Sequence, residues 1–174
     1  MVRGRLGDSA TLAHCLACEA CMGALAVKFG EPEELWRLAG LVHDMDLDVC
    51  ADDPARHGLL AAELLRAEGV KEEVVHAVLA HCDKGERTTK LDRALWVVDP
   101  TTGFITASAL IRPSKSTADL TVKSIKKRMK DKRFAAAVSR EQIRASETEI
   151  GLPLDDFLGI CLESMNSIRD QLRL

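Results

Sequence analysis

The sequence predicts an all-α fold. Through most of the chain, apolar residues recur about every 3.6 positions, which is the period of a helix with one buried face. Capping residues, prolines and glycines separate these segments, and none shows the alternation of apolar and polar residues typical of a half-buried strand. The chain has 174 residues, 47% of them hydrophobic, which suffices for one well-buried core but not for two. We therefore expect a single domain over residues 1–174.

The first two helices have clear start signals. Asp8 or Ser9 can cap a helix that continues to about Lys28, because their side-chain oxygens accept hydrogen bonds from free backbone N–H groups. Pro32 suits the first turn of a second helix through the segment LWRLAGLV, since proline has no N–H to leave unpaired there.

Two further helices are expected before residue 85. Asp53 and Pro54 open the segment ARHGLLAAELLRAE, which ends at Gly69. The next segment, KEEVVHAVLAHC, has apolar residues at helical spacing. Both segments should therefore bury one face.

A proline interrupts the next helical segment. Thr88 or Thr89 can cap the helix KLDRALWVV. Pro100 should then bend or restart the chain, because its ring clashes with the preceding turn and removes one helical hydrogen bond. The apolar segment TGFITASALI follows and ends at Pro113.

From about residue 114 we expect a basic helical extension of the domain. Residues 123–133 hold seven cations and one anion. The segment SREQ at 139–142 is a capping box that opens a helix ending near Gly151, and a last amphipathic helix starts at Pro153 or Asp155.

Composition narrows the classes of function. A net charge of -3 gives no general attraction to nucleic acid, and 3% aromatic residues with no tyrosine offer no stacking surface for single strands. No apolar run approaches the roughly 18 to 20 residues that a bilayer span requires, and no apolar signal core follows the basic N-terminus. We expect a cytoplasmic protein without a membrane partner. We do not favour nucleic acid as its ligand.

The segment HCLACEACM at residues 14–22 admits two interpretations. Three cysteines at intervals of three could begin an iron–sulfur or zinc site, but a ferredoxin-type cluster needs a fourth cysteine, and position 25 is leucine. Steps of three residues spread side chains over a broad arc of a helix, as small core residues do. We favour core packing for Cys15, Cys18 and Cys21, with a cluster as the alternative.

Histidine and aspartate form an ordered set along the predicted helices. The set consists of His14, the doublet His43 and Asp44, His57, His81 and Asp99. Imidazole and carboxylate together suit iron, manganese, zinc and similar divalent ions. Adjacent residues on a helix point about 100° apart, so the doublet can share an ion only where its helix ends. The segment MDLDVCADDP supplies that end.

This set resembles the HD superfamily of metal-dependent phosphohydrolases. The segments WRLAGLVHDMD, EGVKEEVVHAVLAHC and TGFITASALIRPSK to VKSIKKRMKDKRFAAAV are similar to a subgroup of small HDIG-type predicted hydrolases, so the resemblance covers nearly the whole chain. It implies a compact helical HD-domain fold. It also implies a first metal ion held by His14, His43, Asp44 and Asp99, and a second, where present, bridged by Asp44 and held by His57 and His81.

The function implied is hydrolysis of a phosphomonoester or phosphodiester by metal-activated water, with a small nucleotide-like ester as substrate. The resemblance implies catalytic roles for Asp44, His57 and His81 and one or two divalent ions among Fe, Mn, Zn, Ni, Co and Mg. Negative charge develops on the phosphoryl oxygens in the transition state and calls for additional cations. The candidates are Lys84, Arg112, Lys115, Lys126 and Lys127. The basic run can equally be a solvated helix face.

Three further assignments stay open at this point. Some branches of the superfamily are di-iron oxygenases with the same ligand types, and a metal- or nucleotide-binding regulator without turnover would retain the ligands as well. Asp46 and Asp48 lie close to the doublet and could orient a ligand or relay a proton, although acids at helix ends near solvent are common.

Overall fold

The structure of the protein is a computed structural model that describes residues 10–174. Within this range it contains ten α-helices and no strand, which confirms the all-α prediction. The helices are α1 (Ala10–Phe29), α2 (Glu33–Val42), α3 (Leu59–Ala67), α4 (Glu72–His81), α5 (Lys90–Leu110), α6 (Val122–Arg128), α7 (Arg140–Arg144), α8 (Ser146–Ile150), α9 (Leu154–Ser167) and α10 (Arg169–Leu172). Short 3-10 helices lie at Pro54–Arg56 and Thr117–Asp119. The predicted caps Asp8 and Ser9 lie outside the described residues.

Helices α1 and α5 form the centre of the molecule, and α2 and α9 pack against α1. The helices α1 and α2 approach each other most closely at Gly40. A Cβ atom at this position would lie 2.7 Å from the backbone carbonyl group of Cys18, a distance that real contacts do not allow. Glycine therefore sets the spacing of these two helices, and with it the distance between His14 and His43.

The cysteines of α1 face the core. Cys15, Cys18 and Cys21 are fully buried beside Met22 and Leu25. Burial raises the pKa of the Cys15 thiol far above its ordinary value, so this side chain stays uncharged. Burial in the core is what the packing interpretation predicts for these three cysteines.

Helix α1 corrects one expectation. It is long and apolar enough to cross a membrane by length and composition, so the prediction that no segment approaches such a span is wrong. Half of its most apolar stretch is buried against the rest of the protein, however. A buried core helix passes the same test of length and composition.

Glycine breaks the segment that follows Pro54. Instead of one helix, the chain forms a 3-10 turn at Pro54–Arg56 and then α3. Between them Gly58 has a φ of 79°, which L side chains rarely adopt, and a Cβ atom there would lie 2.3 Å from the sulfur of Cys82. The break leaves His57 in an extended conformation ahead of α3.

Helix α5 does not stop at Pro100. It begins at Thr89, whose hydroxyl accepts a hydrogen bond from the N–H of Asp92 in a capping box, and continues to Leu110 with the proline inside it. Of the two outcomes predicted at Pro100, a bend or a restart of the chain, the restart does not occur. Packing of α5 along both α1 and α4 offsets the loss of one backbone hydrogen bond.

The C-terminal part is more broken than expected. Helix α6 covers only the beginning of the basic run, and the segment after Ser139 forms two short helices, α7 and α8, instead of one. Gly151 ends α8 in the left-handed conformation, with a φ of 72°. The last long helix, α9, begins directly after Pro153 as predicted.

Candidate metal centre

The six predicted ligands lie together, although five separate parts of the chain contribute them. Asp44 occupies the middle. Its Oδ1 lies 3.3 to 3.5 Å from the Nε2 atoms of His81, His57 and His43, and its Oδ2 lies 3.6 Å from Nε2 of His14. The Nε2 of His14 is also 3.1 Å from Oδ1 of Asp99 and 3.2 Å from Nε2 of His43. We call these six residues the metal cluster.

The ends of two helices bring these side chains together. His43 directly follows α2, and the chain leaves the helix in a series of turns, so His43 and Asp44 both reach the cluster. His81 is the last residue of α4. His14 and Asp99 lie in the interiors of α1 and α5, which form the opposite wall.

The outer nitrogen of each imidazole has an oxygen partner. Nδ1 of His43 donates to the carbonyl of Gly40 at 2.8 Å, and Nδ1 of His81 donates to the carbonyl of Val78. Nδ1 of His57 lies 2.9 Å from the carboxylate of Asp46. From these partners we assign the proton to Nδ1, which leaves the Nε2 lone pairs directed toward Asp44.

His14 is oriented by Thr102, one turn after Asp99. The hydroxyl of Thr102 donates to the backbone carbonyl of Asp99 at 3.0 Å and accepts from Nδ1 of His14 at 3.1 Å. The sequence analysis missed this residue. Its position three residues after an aspartate ligand was the only available signal, and threonine at that spacing is common in helices.

The donor set fits a divalent cation. Four imidazole lone pairs and two carboxylates form a connected group in which neighbouring atoms lie 3.1 to 3.6 Å apart, an arrangement that is repulsive unless positive charge lies among them. Without an ion, protons are the available positive charge: burial opposes protonation of His81, but the hydrogen bond and charge of Asp44 raise its pKa. A bound divalent ion would displace such protons and match the charge of the two carboxylates.

Electrostatics also keep the central carboxylate ionised. Burial alone would raise the pKa of Asp44, but the adjacent imidazoles of His43, His81 and His14 hold it well below its ordinary value. Burial lowers the pKa of His43, whose side chain is completely enclosed, and so favours the neutral form that binds metals.

Asp46 bonds one imidazole of the metal cluster from outside it. Its Oδ1 faces Nδ1 of His57, and its Oδ2 accepts hydrogen bonds from the backbone N–H groups of Gly58 and Ala61, both at 2.9 Å. It therefore orients His57 and caps the start of α3 at once. Asp48 is exposed and accepts a hydrogen bond from Thr11 at 2.7 Å, outside the cluster.

Two cysteines flank the cluster. Cys18 places its sulfur 3.8 Å from Nε2 of His14 and 3.3 Å from the hydroxyl of Thr102, and Cys82 groups with His57 and His81. Among residues 10–174, no group of converging ligand atoms contains more than one cysteine. The three cysteines of α1 therefore do not form a joint site.

In the described part of the chain, none of the predicted substrate cations forms a hydrogen bond or an ion pair with a residue of the metal cluster. Arg112 and Lys127 line a groove of about 500 Å³, here called the basic groove, together with Ser108, Ser124 and Arg128. Ser108 is nine residues from Asp99 on α5, a rotation of about 180°, so this groove opens on the opposite face of the helix. Lys126 pairs with Asp155, and Lys115 and Lys84 are exposed in turns. Of these, Lys84 is closest to a ligand in sequence, three residues after His81.

Comparison with known families identifies this arrangement. The model of the HD domain matches residues 11–119, a range that includes all six cluster residues and more than half of the chain. The chain belongs to the HD domain family. HD domains bind divalent metal ions and form a superfamily of metal-dependent hydrolases, in agreement with the donor set described above.

Several curated proteins are similar to part of this HD domain. Ribonuclease Y of Cutibacterium acnes is 35% identical over 74 residues, which are 42% of this chain and 14% of that protein. Ribonuclease Y of Frankia casuarinae is 33% identical over 70 residues, which are 40% of this chain and 11% of that protein. The chain thus spans only a small part of these relatives. No solved structure matches it.

Proposed function

We propose that this HD domain is a phosphohydrolase that cleaves a phosphomonoester or phosphodiester of a nucleotide-like substrate. The observation that carries the proposal is the convergence of four Nε2 atoms on Asp44, each from an imidazole whose other nitrogen is already engaged. A divalent ion bound there supplies an acidified water molecule, with a pKa lowered toward about 7, and polarises a phosphoryl oxygen.

The two oxygens of Asp44 face different ligands, which supports a site for two ions. Oδ2 lies toward His14, whereas Oδ1 lies toward His57 and His81 and also toward His43. In the proposed arrangement His14, His43, Asp44 and Asp99 hold one ion, and His57 and His81 hold the other. Asp44, which lies between the two groups, would contribute a carboxylate oxygen to each ion.

The chain leaves one edge of the cluster open for substrate. His43 and Asp44 are buried, but the side chains of His14, His57 and Asp99 retain 22%, 18% and 32% of their exposure. The phosphate is therefore proposed to enter along this edge. The enclosing side chains exclude bulk water from the opposite side, which strengthens electrostatic interactions in the site.

The test is elemental analysis of protein purified without an affinity metal, followed by a screen of phosphate esters. We expect one or two divalent ions per chain and hydrolysis of at least one nucleotide, both abolished in Asp44→Asn. Normal hydrolysis by Asp44→Asn would exclude the proposal. Bound iron with turnover that depends on oxygen would indicate an oxygenase, and bound metal with tight ligand binding but no product would indicate a regulator.

RNA is the second candidate substrate. Two observations favour it: relatives named ribonuclease Y, and the segregation of seven of the 24 Lys and Arg residues into positions 123–133 of an acidic chain. Within the described residues, Lys123, Lys127, Lys130 and Lys132 make no ion pair, so their charges are available to a polyanion.

The basic groove provides the test of RNA binding. The double variant Arg112→Ala, Lys127→Ala should weaken binding of a single-stranded RNA oligonucleotide about tenfold and reduce the slope of log affinity against log salt by about two. The exposed residues Lys28 and Lys71 lie outside the groove, and replacing both with alanine is the control. Equal losses in the two double variants would exclude a role for the groove.

A further inference from the structure

A second cavity borders the metal cluster on the face of α5 that carries Asp99. It has a volume of about 350 Å³, within the range of small-molecule sites. We call it the α1/α5 pocket. Its lining is mainly apolar, and His14 forms part of its wall. The other lining residues are Ala10, Leu12, Ala13, Leu16, Gly103, Thr106, Leu110, Gln171, Leu172, Arg173 and Leu174.

Helix α5 connects the pocket with the cluster. Asp99, Gly103, Thr106 and Leu110 follow one another at intervals of four, three and four residues, so they share one face of the helix. At about 1.5 Å per residue, the pocket begins about 6 Å beyond Asp99 along the helix axis and ends about 16 Å beyond it. It therefore starts at the open edge of the cluster, where His14 and Asp99 are partly exposed.

The floor of the pocket is formed by residues with little or no side chain. A Cβ atom added to Gly103 would meet no heavy atom of the described residues within 4 Å, and Ala10 and Ala13 lie on α1 opposite. This leaves room for a flat group between the two helices. The hydroxyl of Thr106 and the amide of Gln171 are the uncharged hydrogen-bonding groups in the lining.

The chemistry of the lining defines the group that fits. Apart from His14 and Arg173, the side chains of the lining are uncharged. A planar apolar ring with a few hydrogen-bonding edges gains from burial there and from Thr106 and Gln171. We propose that the α1/α5 pocket binds the nucleobase of a nucleoside phosphate whose phosphoryl group lies at the metal cluster. This proposal rests on the proposed function and adds a selectivity for nucleoside esters over sugar phosphates.

Gly103 offers a direct test, because it lines the pocket and a Cβ atom added there meets no atom of the described residues beyond its own helical turns within 4 Å. The measurement is calorimetric binding of three probes to the metal-loaded protein: inorganic phosphate, ribose 5-phosphate and adenosine 5′-monophosphate. Wild type should bind adenosine 5′-monophosphate at least tenfold more tightly than ribose 5-phosphate. Gly103→Leu should lose this preference while keeping its metal content and its affinity for inorganic phosphate.

Two controls separate filling of the pocket from a change in the fold. Gly103→Ala adds one methyl group and should keep most of the preference for the nucleotide. Ala24→Leu adds three carbon atoms, one fewer than Gly103→Leu, in another groove of α1, of about 430 Å³, which no cluster residue lines, and should bind like wild type. Thr106→Leu fills the pocket from the next turn of α5 and should repeat the loss.

The outcomes distinguish this inference from the proposed function. Equal affinity of wild type for ribose 5-phosphate and adenosine 5′-monophosphate would overturn the inference, as would a preference that survives in both Gly103→Leu and Thr106→Leu. Because the measurement is binding, it stands even if no ester is hydrolysed. Absence of hydrolysis together with a pocket-dependent preference would overturn the phosphohydrolase proposal alone.

Discussion

At the scale of single residues, the sequence predicted which ligands meet but not what holds them. Histidine and aspartate are rare enough in helix interiors that an ordered set of six carries information, and all six lie in the cluster. What holds them includes the hydroxyl of Thr102, which bonds His14, and the carbonyl of Gly40, which bonds His43. Neither could be found from sequence, because threonine in a helix and a backbone carbonyl have no distinctive pattern.

Asp46 gives a residue-scale prediction about metal affinity. Asp46→Asn removes the charge that orients His57 and should weaken binding of the metal about 10- to 100-fold, measured by competition with a chromophoric chelator. Asp48→Asn is the matched control, since Asp48 lies two residues away and accepts a hydrogen bond from Thr11 outside the cluster. A similar loss in both variants would indicate a general effect of charge and not a role in orienting His57.

The cysteines of α1 give a second prediction. Replacing Cys15, Cys18 and Cys21 with alanine should leave the metal content unchanged and cost about 1 kcal/mol of unfolding free energy per site, because each sulfur fills space in the core. Metal analysis and urea unfolding measure the two effects. If iron and acid-labile sulfide were present in wild type and lost together, the cluster interpretation would replace the packing interpretation. Loss of metal in Cys18→Ala alone would make Cys18 a ligand, since its sulfur lies beside His14.

At the scale of elements, local sequence signals predicted the positions of most helices. They failed where tertiary contacts determine whether a helix ends or continues. The capping threonine at 89 and the start of α9 at Pro153 were correctly predicted. Pro100 was expected to bend or restart the chain, yet the helix continues without a restart because its faces are packed against α1 and α4. The break at Gly58 depends on the nearby sulfur of Cys82, a contact across 24 residues that no local pattern contains.

The crossing of α1 and α2 at Gly40 leads to a prediction about stability. Gly40→Ala forces the two helices apart and should lower the free energy of unfolding by about 1 to 3 kcal/mol, with weaker metal binding because His14 and His43 separate. Gly159→Ala is the control in α9, where the nearest atom, of Val122, is 4.0 Å away. It should be neutral or stabilising by up to about 1 kcal/mol, as expected for alanine in a helix. Chemical unfolding of both variants measures the difference, and equal effects would contradict the role given to the crossing.

At the scale of the whole molecule, the fold class and the convergence of the six His and Asp side chains could be predicted, but the placement of positive charge could not. The basic run had two interpretations, a solvated helix face or a phosphate-binding segment beside the metal ligands. In the structure Asp99 lies on one face of α5 and the basic groove opens on the other. Which face of a helix looks toward a distant site depends on packing angles that composition does not encode.

Removal of the metal should destabilise the whole domain. At a free metal concentration of about 100 times the dissociation constant, the ion contributes about 2.7 kcal/mol, and for a chain of this size the melting temperature should fall by about 5 to 10 °C on addition of a chelator. Differential scanning calorimetry measures this shift. Asp44→Asn should show no response to the chelator, and a response equal to that of wild type would place the stabilising ion elsewhere.

The contact between His14 and Asp99 joins residues that are 85 positions apart in the chain. Such a contact forms only after the long intervening segment has closed, so it belongs to the late part of folding. In the early folding ensemble these two residues are still apart, so an ion that both of them bind has no binding site yet. The bound ion should therefore leave the folding rate almost unchanged and lower the unfolding rate. The folded domain would then live longer before it unfolds.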